Sequence, residues 1–117
     1  MKRVLLSFAF LVSIEFSYCQ QITWQKYFGL TWAYSGRGIV QMEDSGFAIA
    51  AFYGFTPNAI TLIRTDKFGD TLWTRNYEGG QPHKLIRTFD GGFAIVGAKV
   101  GAPNYLLKTN DSGDTLW

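Results

Sequence analysis

The residue types that most often carry catalysis are sparse in this sequence, and the clearest case is its single histidine. His83 follows Glu78 to Pro82, a stretch whose glycines and proline predict a loop. The corresponding stretch one internal repeat earlier is longer and carries Trp32, Tyr34 and Arg37, so His83 has no second copy. A catalytic histidine needs a nucleophile or a carboxylate beside it. No spacing in the chain pairs one with His83, and we expect a solvated loop residue.

Metal and nucleotide sites are not favoured by the sequence either. One histidine and one cysteine, Cys19, cannot fill the four ligand positions of a zinc site. The acid-containing segments Asp66 to Asp70 and Asn110 to Asp114 lack the ligand count and spacing that calcium requires. Their Asp, Asn and Gly residues instead predict turns, in which a side-chain oxygen bonds the local backbone. No glycine-rich phosphate loop opens a helix, so we predict no cofactor.

Four aromatic residues fall in or near predicted loops, where they leave two interpretations open. Trp32, Tyr34, Tyr53 and Phe55 could stack on sugar rings, because an aromatic face complements the C–H face of a sugar. They could equally pack beneath the same loops or against a neighbouring repeat. A glycan or a protein surface is therefore a possible partner, with the loops at one end of the repeats as the recognition surface.

The first residues have the layout of an export signal. A basic start at Lys2 and Arg3 precedes an apolar run from Val4 to Ile14, which is about half the roughly 20 residues that a membrane-spanning helix needs. Small residues before the cut place signal cleavage between Cys19 and Gln20, which divides the chain into a signal peptide, 1–19, and a repeat segment, 20–117. The alternative is lipidation of Cys19, against which the bulky Tyr18 argues. We expect a secreted or cell-surface protein without a transmembrane segment.

Composition limits the class of the exported part. Apolar residues make up 47% of the chain, charged residues make up 17%, and the formal net charge is only +2. That much apolar surface without a matching period excludes a disordered tail, a coiled coil and a collagen-like fibre. The small net charge gives no basic footprint for nucleic acid.

An internal repeat is the strongest signal in the sequence. The segment Asp44 to Ala50 returns 46 residues later, and Arg64 to Trp73 returns 44 residues later as Lys108 to Trp117. Trp24 to Gly29 resembles the segment that begins at Trp73, 49 residues on. Three landmarks in the same order indicate a repeat whose loops absorb insertions. Its structural landmarks are Gly46, Phe47, Gly69, Asp70, Trp73, Gly92, Phe93, Gly113, Asp114 and Trp117.

One repeat period predicts four short antiparallel strands joined by tight turns. We place the strands at residues 39–42, 47–53, 59–64 and 71–77. Hairpin turns are expected at Glu43 to Gly46 and, in the second copy, at Asp90 to Gly92, because glycine accepts the backbone conformation of a tight turn. The nearly continuous apolar run from Phe47 to Tyr53 is typical of a strand covered on both faces.

Four strands in about 45 residues, repeated, predict the blades of a β-propeller, with about two blades present. The large aromatics Phe47, Phe52, Trp73 and Phe93 would fill the wedges between blades. A β-sandwich and an open β-solenoid are the alternatives. A solenoid coil is usually shorter than this period, and sandwiches seldom repeat so closely.

The repeat resembles those of secreted bacterial β-propeller proteins, many of them cargo of the type IX secretion system. The resemblance rests on Asp90 to Gly97, Asn104 to Asn110 and Gly113 to Trp117, and covers roughly residues 23–117. The first copy departs from the pattern at Ser45 and Ala51. The resemblance implies a scaffold, and a C-terminal sorting domain beyond Trp117. A closed propeller takes about 4 to 8 blades, so we expect a piece of a longer protein whose remaining blades complete it.

These observations predict a non-catalytic interaction or scaffold domain. The alternative is the N-terminal part of a secreted hydrolase or lyase, directed at carbohydrate or peptide, whose catalytic residues lie in further blades. Non-repeating acid pairs or a histidine cluster facing a central funnel would favour the enzyme. Two blades alone leave apolar faces unpaired, so the chain by itself should be sticky or partly unfolded.

Overall fold

The computed structural model describes residues 24–29, 34–55 and 58–117. The proposed cleavage site at Cys19 and Gln20 lies outside the described residues, as does Trp32. The described part contains β-strands and no helix, so it holds no helix of a length and apolarity that would cross a membrane. The strands are β1 (Tyr34–Gln41), β2 (Phe47–Tyr53), β3 (Ala59–Thr65), β4 (Thr71–Glu78), β5 (Gly80–Arg87), β6 (Phe93–Lys99) and β7 (Ala102–Thr109).

The strands form two antiparallel sheets, one for each copy of the repeat. Sheet 1 has the order β1-β2-β3-β4, and sheet 2 has the order β5-β6-β7. The prediction of an all-β chain built from antiparallel hairpins is confirmed, and three of the four predicted strands of the first copy agree closely with β2, β3 and β4. Within the described ranges the two sheets do not close into a ring.

The first strand of sheet 1 is longer than predicted, and the first strand of sheet 2 includes residues that were predicted to form a loop, which corrects the position of His83. β5 contains Gly80, Pro82 and His83, so His83 lies in a strand and not in a joining loop. In the pairing with β6, Pro82 is opposite Gly97 and Lys84 is opposite Val96. His83 has no residue opposite it and is the extra residue of a bulge. A loop was expected because proline and glycine read as breakers, whereas a bulge accommodates proline within a strand.

The same bulge occurs in the first repeat. β1 pairs Gly36 with Ala51 and Gly38 with Ala50, which leaves Arg37 as the extra residue. Arg37 therefore occupies the position of His83, 46 residues earlier. The expectation that His83 has no counterpart is therefore wrong, because Arg37 has the matching backbone position. The two side chains differ in chemistry, which hides the match in the sequence.

Repeated side-chain hydrogen bonds explain why the turns have the same shape in both copies. A carboxylate oxygen of Asp44 accepts from the backbone N–H of Gly46 at 2.9 Å, and Asp90 accepts from Gly92 at 3.0 Å. In the next turn, Asp66 Oδ1 accepts from two backbone N–H groups, those of Phe68 and Asp70. Asn110 Oδ1 accepts from Ser112 and Asp114 in the same way. These oxygens are used in local turn formation, as the turn prediction requires.

The core lies between the two sheets, with β5 in contact with β1, β2 and β3. Alternation along each strand puts one set of side chains from sheet 1 and one set from sheet 2 into this layer. The interlocked, buried apolar side chains are Ala48, Ala50, Ile60, Leu62, Leu85, Phe93, Ile95 and Leu107.

Candidate interaction surfaces

Each sheet has two faces that play different parts in the stack. We call the face that carries Phe47 in sheet 1 or Phe93 in sheet 2 the front face, and the opposite face the rear face. Ile49 and Ile63 are paired across the strands on the front face of sheet 1, and Ala50 and Leu62 are paired on its rear face. The rear face of sheet 1 packs against the front face of sheet 2.

Side chains of β4, the outer strand of sheet 1, contact sheet 2. We call the contacts of this strand with sheet 2 the joint. The ring of Trp73 lies edge-on to the ring of Phe93, with centroids 6.4 Å apart and an interplanar angle of 70°. The Tyr77 hydroxyl donates to the carbonyl of Gly113, and Arg75 lies 3.7 Å from Asp114. Burial is the main cause that raises the pKa of Tyr77 to about 12. Aromatic packing, a hydrogen bond and an ion pair therefore join the two sheets here.

Glycine is needed at the centre of this joint. Gly113 has a φ of +81°, and a Cβ built on it would lie 2.9 Å from the indole ring of Trp73. Gly69 in sheet 1 has a φ of +82°, and a Cβ there would lie 2.6 Å from the indole ring of Trp24. The two glycines thus combine a left-handed backbone with close approach of a tryptophan.

A second joint of the same construction lies on the front face of sheet 1. The ring of Trp24 lies edge-on to that of Phe47, with centroids 6.0 Å apart and an interplanar angle of 65°. Lys26 Nζ lies 2.9 Å from Asp70. These two contacts, and the approach of Trp24 to Gly69, match those of Trp73, Arg75 and their partners. Trp24–Gly29 therefore rests on sheet 1 as β4 rests on sheet 2. Of the ten landmark residues of the repeat, nine lie in or beside these two joints.

The tenth landmark, Trp117, belongs to a joint that is not filled among the described residues. The backbone of Trp117 is hydrogen-bonded to that of Lys108, and Thr115 bridges Thr109, so residues 115–117 begin a fourth strand on β7. The Trp117 side chain is 66% exposed. It occupies the position of Trp73 without a phenylalanine against it.

The rear face of sheet 2 is an exposed apolar surface. Leu106 is 49% exposed and Val96 is 44% exposed, whereas their counterparts Leu62 and Ala50 in sheet 1 are fully buried. Ile86, on the same face, is also about half exposed. The apolar side chains of this surface correspond in position to those with which sheet 1 packs against sheet 2.

The aromatic residues predicted for loops are brought together at one end of sheet 1. Tyr34 begins β1 and Tyr53 ends β2, with ring centroids 4.9 Å apart, and Phe55 lies 5.9 Å from Tyr53. Tyr34 and Tyr53 are half-buried, and they line a cavity of about 320 Å³. The other lining residues are Phe28, Gly29, Thr61, Ile63, Thr71, Thr74 and Asn76. The cavity opens on the front face of sheet 1, the face that in sheet 2 is covered by a neighbouring sheet.

Two carboxylates with lowered pKa values hold the hairpin between the first two strands of each sheet. A hydrogen bond from Thr88, then one from Lys108, holds the pKa of Asp90 well below its usual range. Asp44 has a lowered pKa because it accepts a hydrogen bond from the Gly46 backbone and another from Arg64. Each carboxylate is paired with the cation at the end of its own third strand, so both are structural.

The residues considered for chemistry are not assembled into a reactive group. His83 is exposed on β5, and the guanidinium of Arg37 lies 5.9 Å from the ring centre of Phe52. Within residues 24–29, 34–55 and 58–117, no three His, Cys, Asp or Glu side chains cluster as a metal site would require. Comparison of the chain with protein-family models, curated proteins and solved structures found no match.

Proposed function

We propose that the chain is an exported β-propeller repeat segment that serves as a non-catalytic interaction or scaffold domain at the cell surface or outside the cell. Sheets 1 and 2 are two neighbouring blades in this proposal, and β1 and β5 are their corresponding first strands. The observation that carries it is the repeated joint, in which a Trp and a cation of one outer strand meet a Phe, a Gly and an acid of the next sheet.

Repetition of the joint supports a stack of blades over a two-layer sandwich. A sandwich buries one face of each sheet and leaves the other to solvent, so its outer faces are polar. Here the rear face of sheet 2 carries Ile86, Val96 and Leu106, and the front face of sheet 1 carries Phe47 and Ile49. Apolar residues on both outer faces are what a stack that continues in both directions needs.

The interaction role is supported by the structural use of the polar residues and by the grouping of the aromatic ones. Within the described part of the chain, four acid or amide side chains shape turns, and five cations form ion pairs with acids. The aromatic group of Tyr34, Tyr53 and Phe55 is gathered at one end of the sheet. The partner is a protein or glycan surface that contacts the loops at that end. Export through a signal peptide cut before Gln20, with type IX cargo as the family, completes the proposal.

The test is to isolate the native protein from its source cells, separately from the medium and the membrane fraction, and to determine its N-terminal sequence, its mass and its shape by electron microscopy. The proposal expects an N-terminus near Gln20 and a ring-shaped particle. A cytoplasmic protein that retains Met1 would contradict export. An isolated two-layer particle would contradict the propeller, and turnover of polysaccharide or peptide by the pure particle would contradict the non-catalytic role.

A further inference from the structure

The segment Trp24–Gly29 belongs to neither sheet. It is in no strand ladder with the rest of the described chain, and its contacts are with the front face of sheet 1. Tyr27, in its middle, is 90% exposed. A segment outside every strand ladder leaves its backbone N–H and C=O groups open to a partner strand.

The position of this segment is that of an outer strand. Trp24 and Lys26 contact a glycine and an aspartate of sheet 1. Trp73 and Arg75 contact the same two residue types in sheet 2. In β4 those residues are part of a sheet, because β4 pairs with β3 along its whole length. The segment therefore occupies the place of a fourth strand whose first three strands are supplied from elsewhere.

Sheet 2 has the complementary features. Along the outer edge of β7, the described residues make backbone hydrogen bonds at Lys108 and a bridge at Thr109, and none from Ala102 to Leu107. Alternation of an antiparallel edge directs the backbone groups of Leu106 and Asn104 outward, like those of Lys108. Beside this edge lies the exposed apolar rear face that contains Val96 and Leu106.

We propose that Trp24–Gly29 of one copy of this chain is the fourth strand of sheet 2 in a second copy. The rear face of that sheet then packs on the front face of sheet 1 of the first copy, as sheet 1 packs on sheet 2 within a chain. This inference rests on the proposed function, in which sheets stack as blades, and it names the molecule that supplies the next sheet. A second copy fits as the partner because both halves of the new joint repeat an interface already present in the chain.

The register of the new strand pair follows from β3 and β4. Arg64 is opposite Trp73 and Thr61 is opposite Asn76. The 44- and 49-residue offsets of the repeat convert these pairs to Lys108 opposite Trp24 and Tyr105 opposite Tyr27 of the second copy. Trp24 takes the place that Trp117 holds within its own chain, so residues 115–117 are displaced. The contact joins different surfaces of the two copies and therefore builds a ring or a filament.

A cysteine pair tests this register directly. The full chain carrying Cys19→Ser, Tyr27→Cys and Tyr105→Cys is oxidised and separated without reductant, and we expect a ladder of dimers and larger species linked between copies. The control for orientation is Tyr27→Cys with Leu106→Cys, whose Cβ atoms point to opposite faces and cannot be bridged. It should give less than about a tenth of the ladder.

A second control separates failure of this inference from failure of the stack itself. Thr61→Cys with Asn76→Cys should form a disulfide within one chain, because these residues are directly opposite in β3 and β4. If residues 61 and 76 link and residues 27 and 105 do not, the strand exchange is overturned and the four-stranded sheet stands. If residues 61 and 76 also fail to link, sheet 1 and the proposed function fail together.

Sedimentation of the chain with its natural residues at these positions gives a readout that needs no disulfide. We expect a mass above the 13.2 kDa of one chain that rises with concentration. Leu106→Asp places a charge on the rear face of sheet 2 and should return the mass to that of a monomer. Phe89→Asp changes an exposed apolar residue in the turn before β6 and should leave the association unchanged. Equal loss in both variants, or none in either, would overturn the proposal.

Discussion

The rear faces of the two sheets have corresponding positions but different surroundings. Leu62 is fully buried in sheet 1, whereas Leu106, its counterpart, is 49% exposed in sheet 2. The difference arises from the neighbour and not from the residue, because sheet 2 covers the rear face of sheet 1 and no sheet of the described chain covers the rear face of sheet 2. Burial in this molecule is thus a property of position in the stack, which is the behaviour of repeat architectures.

The front faces differ in the opposite order, since that of sheet 2 is covered by sheet 1 and that of sheet 1 is not covered by a complete sheet of the described chain. The largest expected effect comes from the phenylalanine on each front face. Phe93→Ala should lower the free energy of unfolding by about 3–5 kcal/mol, since Phe93 is fully buried between the sheets. Phe47→Ala removes the matching residue, which is only half-buried beneath Trp24, and should cost about half as much. Urea unfolding of the full chain at low protein concentration, where no second copy covers sheet 1, measures both. Equal losses would mean that the front face of sheet 1 is also covered by a complete sheet.

A matched pair on the rear faces gives the next largest difference. Leu62→Ala should cost about 2–5 kcal/mol because it opens a cavity in the core. Leu106→Ala leaves no enclosed cavity in a single chain and should cost less than about 1 kcal/mol at low protein concentration. The loss at Leu106 should grow with concentration when a second copy covers that face. A large, concentration-independent loss would show that the rear face of sheet 2 is covered within one chain.

A smaller effect tests the close approach of tryptophan at the turn. Gly113→Ala should cost about 2 kcal/mol, because alanine at a φ of +81° is strained and its Cβ would also displace the Trp73 ring. Gly91→Ala is the control, since Gly91 has a φ of +83° with open space around it, and should cost only about 1 kcal/mol for strain. Thermal unfolding of both variants distinguishes them. Identical shifts would remove the indole contact from the account of the joint.

Much of sheet 1 could be predicted from the sequence, for reasons that lie in particular residues. The β2 boundaries follow from an apolar run between two turns, and the turns follow from Asp or Asn oxygens placed two and four residues before backbone donors. The first strands were harder to predict. Pro82 and Gly36 read as breakers, yet each is absorbed beside a bulge, and the opposite strand compensates with Gly97 against Pro82 and Ala51 against Gly36.

The interaction surfaces were only partly predictable. The recurrence of Trp24, Trp73 and Trp117 marked the repeat, but strand pairing in three dimensions was needed to show that Trp24 rests on Phe47 without a sheet of its own. A one-dimensional repeat identifies equivalent residues and does not say which neighbour covers them. That information comes from the faces, which depend on the register of β2 and β3.

The smallest predicted effect concerns pH and the hydrogen bond across the joint. The pKa of Tyr77 is raised to about 12 in the folded protein from an ordinary value of 10.0. A raised folded-state pKa means that the unfolded chain loses its proton first, so the stabilising contribution is complete below pH 10 and is lost as pH rises through 12. Tyr77→Phe should be slightly less stable at neutral pH, because it lacks the bond to Gly113, and should lose less stability than the natural chain between pH 10 and 12. Urea unfolding at pH 8, 10 and 11.5 measures this. Parallel pH profiles for the two proteins would show that the Tyr77 phenol is not held neutral by the joint, and the contact between β4 and Gly113 would then contribute no pH-dependent stability.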